Sequence, residues 1–182
     1  MLEDIEETLI TEEEIEAKVA EIGRQISRDY ENRDLLIVNV LKGSVVFLAD
    51  LMRRITLPLS VDFMATSSYG SATESSGVVR LLKDLEESVA GKDVLVVEDI
   101  IDTGLTLNYL LKNLKERGPK TLTVCTLLDK SVRRIAETDL AYKGFDIPDL
   151  FVVGYGLDFD QKYRNLPFIG VLKASIINPA GR

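Results

Sequence analysis

Val94 to Leu107 reads VLVVEDIIDTGLTL, and the fold can be worked out from there. Four apolar residues, Val94 to Val97, make the continuous run expected of a strand buried on both faces of a parallel sheet. Two carboxylates, Glu98 and Asp99, stand at the end of that run, and Asp102-Thr103-Gly104 then turns into a helix pattern carrying Leu107, Leu110, Leu111 and Leu114. A turn feeding a helix offers unpaired N–H groups at the positive end of the helix dipole, so it can hold a phosphate without a basic side chain. The bland alternative is a plain helix cap, with Asp102 or Thr103 as the capping residue. The acidic pair favours a site, because adjacent carboxylates at a strand end need a cation, hydroxyl donors or solvent to satisfy them.

Moving outward, Leu35 to Leu41 (LLIVNVL) is a second apolar run, followed by Lys42-Gly43-Ser44 and a helical pattern over Val45 to Ile55. Downstream, Gly118-Pro119 stops the central helix and Thr121 to Leu128 reads as another strand. This alternation predicts an α/β fold: a mainly parallel sheet flanked by helices, with right-handed crossovers and ligands at the C-terminal ends of strands. Leu59 to Ala65 and Val78 to Leu82 could pair as antiparallel strands around TSSYGSATESSG, Thr66 to Gly77, which has no apolar periodicity and reads as a mobile lid-length loop. Near the N-terminus, Thr11 and Glu14 form a capping box ahead of a helix over Ile10 to Asp29. Ser131 to Pro148 is irregular, whereas Leu150 to Val153 and Phe168 to Leu172 suggest short strands in a small C-terminal unit. With 182 residues, a single domain over 1–182 is expected.

Composition narrows the chemistry. The chain has no histidine, which removes Ser-His-Asp and Cys-His catalysis and most zinc sites, and leaves acid–base work to carboxylate, lysine or tyrosine. A net charge of −8 argues against broad adhesion to nucleic acid. The lone Cys125 lies in an apolar run and suits a buried, inert thiol in a reducing cytoplasm, and neither a membrane span nor a basic leader is expected.

VVEDIIDTGLTL resembles the signature of the type I phosphoribosyltransferases: two hydrophobics, two acids, two hydrophobics, then Asp-Thr-Gly. The resemblance covers nearly the whole chain. It narrows to the 6-oxopurine branch, the hypoxanthine-guanine phosphoribosyltransferases of bacterial type, through LKGS (Leu41 to Ser44), SSYG (Ser67 to Gly70), LLDK (Leu127 to Lys130) and FVVGYGLDFDQKYRN (Phe151 to Asn165). It implies that Asp102, Thr103, Gly104, Leu105, Thr106 and Leu107 hold the 5'-phosphate of 5-phosphoribosyl 1-pyrophosphate, with Asp102 also the general base. Glu98 and Asp99 would meet the ribose hydroxyls and Mg2+, with Asp158 near a second metal. Lys42, Gly43, Ser68, Tyr69 and Arg164 would meet pyrophosphate, Lys42 often following a cis peptide. Lys130 would donate to the purine O6, Phe151 would stack on the base, and Val152 would offer backbone groups to its edge.

The resemblance further implies a hood formed mainly by 129–182 with part of the N-terminal region, and a homodimer or homotetramer. Partners are the purine base and the phosphoribosyl donor, with no nucleic acid and no membrane. Two departures stand out: Ser44 replaces a glycine of the pyrophosphate loop, and Leu105 stands where some relatives carry lysine. Arg133 and Arg134 are left unassigned, with contact to a phosphate as the alternative to a solvated face. Two other readings stay open: an RNA-binding or ligand-sensing regulator on the same fold, and a transferase for xanthine or another base.

Overall fold

A computed structural model describes residues 1–68 and 79–178; Tyr69 and most of the expected lid lie outside the described residues. The chain opens with strand β1 (Ile5–Ile10) and helix α1 (Glu12–Asp29). Thr11 Oγ1 accepts from the Glu14 N–H at 3.2 Å while Glu14 returns its carboxylate to the Thr11 N–H at 2.8 Å, so the capping box fixes the helix start. Then follow β2 (Leu35–Leu41), α2 (Val45–Met52), β3 (Ser60–Ser68), β4 (Val79–Lys83), β5 (Asp93–Ile101), α3 (Leu105–Lys115) and β6 (Thr121–Asp129). The chain closes with β7 (Tyr142–Asp146), β8 (Val152–Val153), β9 (Ile169–Leu172) and the short α4 (Ala174–Ile177).

Six strands form one sheet in the order β4-β3-β2-β5-β6-β7, parallel throughout except for the β3–β4 hairpin. The apolar run of β5 is continuous because both of its faces are covered. Leu95 and Val97 pack toward α1 and α2, in a cluster with Ile15, Ile22, Phe47 and Leu51. Val94 and Val96 pack toward α3, with Leu107, Leu110 and Leu114. From β2 the chain steps to β3 in one direction, and from β5 to β6 and β7 in the other. The order therefore reverses between β2 and β5, and the crevice beyond their carboxyl ends is where such sheets bind ligands.

Two strands escaped the sequence. Residues 142–146, inside the stretch read as irregular, form the parallel edge strand β7 against β6. The acidic N-terminus supplies β1, which pairs antiparallel with β9, and β9 with β8, in a separate three-stranded sheet. Residues 129–182 are thus divided, β7 in the main sheet and β8 and β9 in the small one. β5 also runs on to Ile101, so Glu98 and Asp99 lie within the strand and not beyond it.

Candidate active site

At the end of β5 the chain leaves the sheet through Asp102 and Thr103 and enters α3 at Gly104, whose φ of 80° is left-handed. A Cβ on Gly104 would sit 2.6 Å from the carbonyl oxygen of Ala136, so only glycine fits this turn. The plain-cap reading is corrected here: the N-cap is Gly104, and Asp102 does not cap the helix. Thr103 Oγ1 makes only a long 3.4 Å contact with the Leu105 N–H. Glu98, Asp102, Thr103, Gly104, Thr106 and Leu107 share the lining of a cavity of about 140 Å³ with Ile100 and Ile101, while Leu105 heads the helix. The residues expected around a phosphate are thus gathered at a helix N-terminus, with N–H groups in excess of acceptors.

Across the switch point, the loop after β2 approaches the same strand. The Leu41–Lys42 peptide is cis. A Cβ on Gly43 would fall 1.7 Å from Asp99 Oδ2, so the loop reaches the carboxylate only because that residue has no side chain. Ser44, the departure from glycine, is fully buried and donates its hydroxyl to the Val40 carbonyl, which ties the loop down from below. Lys42 is exposed above it. Gly156 lies directly against the Gly43 carbonyl, and Arg164 donates to the Gly156 carbonyl at 2.8 Å and to Asp158 at 2.8 Å. Lys42, Gly43, Asp158 and Arg164 therefore border one region. Ser68 ends β3 beside the undescribed segment, and Tyr69 lies within it.

The third wall comes from the small sheet. Lys130 is not an exposed strand-end lysine; it is 7% exposed, and its ammonium donates to the Leu150 carbonyl at 2.8 Å, with Asp149 at 3.8 Å. Phe151, next in the chain, is 40% exposed and stands edge-on to Phe159, their centroids 5.5 Å apart. An aromatic face left open on an otherwise packed strand is a stacking surface. The Leu172 N–H donates to the Phe151 carbonyl at 3.0 Å, and Val152 stands opposite Val171. Residues 152 and 171 are therefore a non-hydrogen-bonded antiparallel pair, and the N–H and C=O of Val152 point outward from the open edge.

The residues that the sequence left without a role form a strap over the phosphate turn. Lys130 N–H donates to the Ile101 carbonyl at 2.9 Å, and the N–H groups of Ile135 and Ala136 both donate to the Thr103 carbonyl, at 3.0 and 3.1 Å. Arg134 is no solvated side chain: it is largely buried, pairs with Asp129, and donates through Nε to the Asp102 carbonyl at 3.3 Å. Arg133 Nη1 donates to Asp102 Oδ2 at 3.2 Å. Two adjacent arginines next to a strand end were the only available signal, and nothing local says what they touch.

The electrostatics follow from burial. Burial pushes Glu98 well above the usual carboxylate range, and the charge of Asp99 adds to it. Asp99 is pushed up to about 6, also chiefly by burial; the Ile100 N–H, at 2.8 Å, and Arg164 oppose the rise, and Asp158 reinforces it. Consecutive strand residues face opposite ways, so Glu98 lines the phosphate cavity while Asp99 faces Gly43. Glu98, Asp99 and Asp158 thus do not make one coordination sphere, and no cluster of three or more metal-ligating side chains occurs among the described residues. The donors still suit Mg2+, which takes hard oxygens and commonly uses one or two carboxylates together with substrate phosphates. Buried Glu98 and half-buried Asp99, both raised against their charge, are what such a metal–substrate complex would neutralise.

Residues 7–160 match the family model of the phosphoribosyl transferase domain. The hypoxanthine-guanine phosphoribosyltransferase of Mycobacterium avium is 55% identical over 175 residues, which span 93% of this chain and 86% of that protein. The Bacillus subtilis protein of the same name is 50% identical over 176 residues, 97% of this chain and 98% of its own length. A hypoxanthine phosphoribosyltransferase from Staphylococcus aureus superposes with a TM-score of 0.94 at 48% identity, covering 98% of this chain and 97% of the other. With its signature turn at the switch point and this degree of identity over nearly its whole length, the chain belongs to the phosphoribosyltransferase family, among the hypoxanthine-guanine members.

Proposed function

We propose that the chain converts hypoxanthine or guanine and 5-phosphoribosyl 1-pyrophosphate to the nucleoside monophosphate and pyrophosphate, as a purine-salvage transferase. The observation that carries this reading is the meeting of three walls at one switch point: the Asp102–Leu107 turn, the Gly43 loop against Asp99, and the open edge of β8 beside Phe151 and Lys130. The turn holds the 5'-phosphate with backbone N–H groups and the hydroxyls of Thr103 and Thr106. Glu98 and Asp99 orient the ribose hydroxyls. Lys42, Gly43 and Arg164 receive the departing pyrophosphate, where fixed positive groups act on charge as it develops. Bound Mg2+ would be held by the substrate's own oxygens with Glu98 and Asp99, directly or through water, and by Asp158 at a second site, and would supply further neutralisation of that leaving group. Ser68 and Tyr69 complete the pyrophosphate side.

On the purine side, Phe151 stacks on the ring, Val152 meets its edge, and Lys130 donates to O6. Adenine carries an amino group at that position, which sets a donor against the lysine donor, so discrimination against it is built in. Asp102 accepts the N7 proton as N9 attacks the anomeric carbon, since the chain has no histidine to do so. Asp102→Asn is expected to lower kcat by about 100-fold or more, with the KM for the phosphoribosyl donor within a few-fold of the parent. Near-normal turnover would remove Asp102 from that role. Comparing initial rates with hypoxanthine, guanine, xanthine and adenine, with and without Mg2+, tests the substrate class and the metal together.

The buried, unpaired Cys125 suits a reducing cytoplasm. A homodimer or homotetramer is the assembly we favour. A Trypanosoma cruzi hypoxanthine phosphoribosyltransferase, 42% identical with a TM-score of 0.91, is a relative in which a role of the C-terminal region in oligomeric state is described. Sedimentation equilibrium decides between one, two and four copies.

A further inference from the structure

We propose that Arg133 is a positioning residue for Asp102, holding in place the solvent-accessible carboxylate oxygen that takes the proton. This inference rests on the assignment of Asp102 as general base. The two oxygens of Asp102 are not equivalent. Oδ2 accepts from Arg133 Nη1 at 3.2 Å. Oδ1 is shielded from solvent and has no hydrogen-bond partner among the described residues. The exposed oxygen is therefore Oδ2, the one that Arg133 holds, and its remaining acceptor capacity is open to an arriving N–H. The purine N7–H meets the carboxylate on that open side, so the resting arrangement fixes the oxygen that receives the proton.

The guanidinium that holds this oxygen is itself oriented. Arg133 closes the short 3-10 turn Ser131–Arg133, whose N–H donates to the Lys130 carbonyl at 3.1 Å, and its Nε lies 3.8 Å from Asp149. Asp149 in turn faces Lys130, at 3.8 Å, so one acid sits between the arginine that holds the base and the lysine placed at the purine O6. The other cation of the strap, Arg134, is spent on Asp129 and on the Asp102 backbone carbonyl, and does not compete for the Asp102 carboxylate. Arg133 is the one described side chain that hydrogen-bonds that carboxylate.

Both members of the Arg133–Asp102 pair are substantially exposed, 46% and 40%. An exposed pair of this kind adds little to folding stability. A purely structural role for Arg133 therefore predicts almost no phenotype, whereas a positioning role predicts a kinetic one, because small displacements of a catalytic group cost disproportionately in rate.

The test is a double-mutant cycle on the full chain, with kcat and KM measured for Arg133→Ala, Arg133→Lys, Asp102→Asn and the Arg133→Ala/Asp102→Asn pair, at enzyme concentrations raised to match the slower variants. Arg133→Ala is expected to lower kcat about tenfold, with both KM values within about twofold and the melting temperature essentially unchanged. Arg133→Lys should recover part of the loss, since it restores the cation without the planar fork. In the Asp102→Asn background, Arg133→Ala should change kcat less than about twofold. An unchanged or raised kcat in Arg133→Ala overturns the proposal, and so does the same tenfold loss in both backgrounds. A rise in KM at constant kcat overturns it as well, by making Arg133 a substrate-binding residue. If Asp102→Asn alone turns over normally, it is the base assignment that has failed; if Asp102→Asn is impaired and Arg133→Ala is not, only the present proposal falls.

Discussion

The stretch 94–107 and the strap 130–136 hold the same aspartate from opposite sides, and they do so by different physics. The first places Asp102 through the chain itself: a largely buried strand, a glycine turn and a helix start, each dictated by neighbours in sequence. The second reaches Asp102 only through tertiary contacts, two N–H groups on the Thr103 carbonyl and two guanidinium groups on Asp102. Placement and orientation of one group are thus divided between a rigid element and a loop. A site built this way keeps its phosphate turn when the loop changes, and loses its aim before it loses its fold.

Breaking the junction between the two should have the largest effect. Gly104→Ala puts a Cβ into a left-handed position and 2.6 Å from the Ala136 carbonyl, a backbone atom that cannot rotate away. The backbone strain and the collision together should cost about 2–4 kcal/mol in urea unfolding, with loss of phosphoribosyl-donor affinity. A variant of parental stability and affinity would mean that strap and turn are not in register. Next comes Arg134→Met, which keeps the aliphatic stem and removes the two polar contacts that Arg134 makes, with Asp129 and with the Asp102 carbonyl. Asp129 would keep Lys143 at 3.6 Å, so the cost should fall below that of orphaning a buried charge, at about 2 kcal/mol. Because the turn is built locally, this variant should keep its affinity for inorganic phosphate within a few-fold while kcat falls; equal loss of both would dissolve the distinction between the two regions.

The same division explains what the sequence could say. The β5 run, the acidic pair, the Asp-Thr-Gly turn and the capping box at Thr11 are legible because a strand buried on two faces, a glycine turn and a helix cap each leave a local pattern. Strand β7 was missed because YKGFD carries no apolar alternation; it is an edge strand, held by one neighbour and partly exposed. Strand β1 was missed because IEETLI is largely exposed and acquires its role only by pairing with β9, more than 150 residues away. Arg133 and Arg134 look identical in sequence, yet one caps a carboxylate and the other is buried against Asp129. That difference depends on which way a short 3-10 turn faces the end of β5, and no local pattern encodes it.

The smallest effect isolates the cost of the 94–107 stretch by itself, since the strap does not touch Asp99. In the ligand-free protein, burial raises the Asp99 carboxyl to about 6, above its ordinary value near 3.8. A raised carboxylate favours the folded chain only while it is protonated. As pH climbs from about 4 toward 6, the unfolded chain ionises first and stability drains away, and above pH 6 the loss is complete and constant. Two units correspond to roughly 3 kcal/mol, and the partial exposure of Asp99 reduces that to about 1–2 kcal/mol. Glu98 drifts in the same direction. Asp62, Asp84 and Asp93, held below their ordinary values, act with the opposite sign, their stabilisation being lost only as pH falls below about 4. Asp99→Asn keeps an oxygen for the Ile100 N–H and cannot ionise. It should match the parent near pH 4 and exceed it by about 1–2 kcal/mol at pH 7 in urea unfolding. A stability difference that stays constant from pH 4 to pH 7 would mean that Asp99 is not held against its charge, and that the acidic pair carries no penalty for a bound cation to relieve.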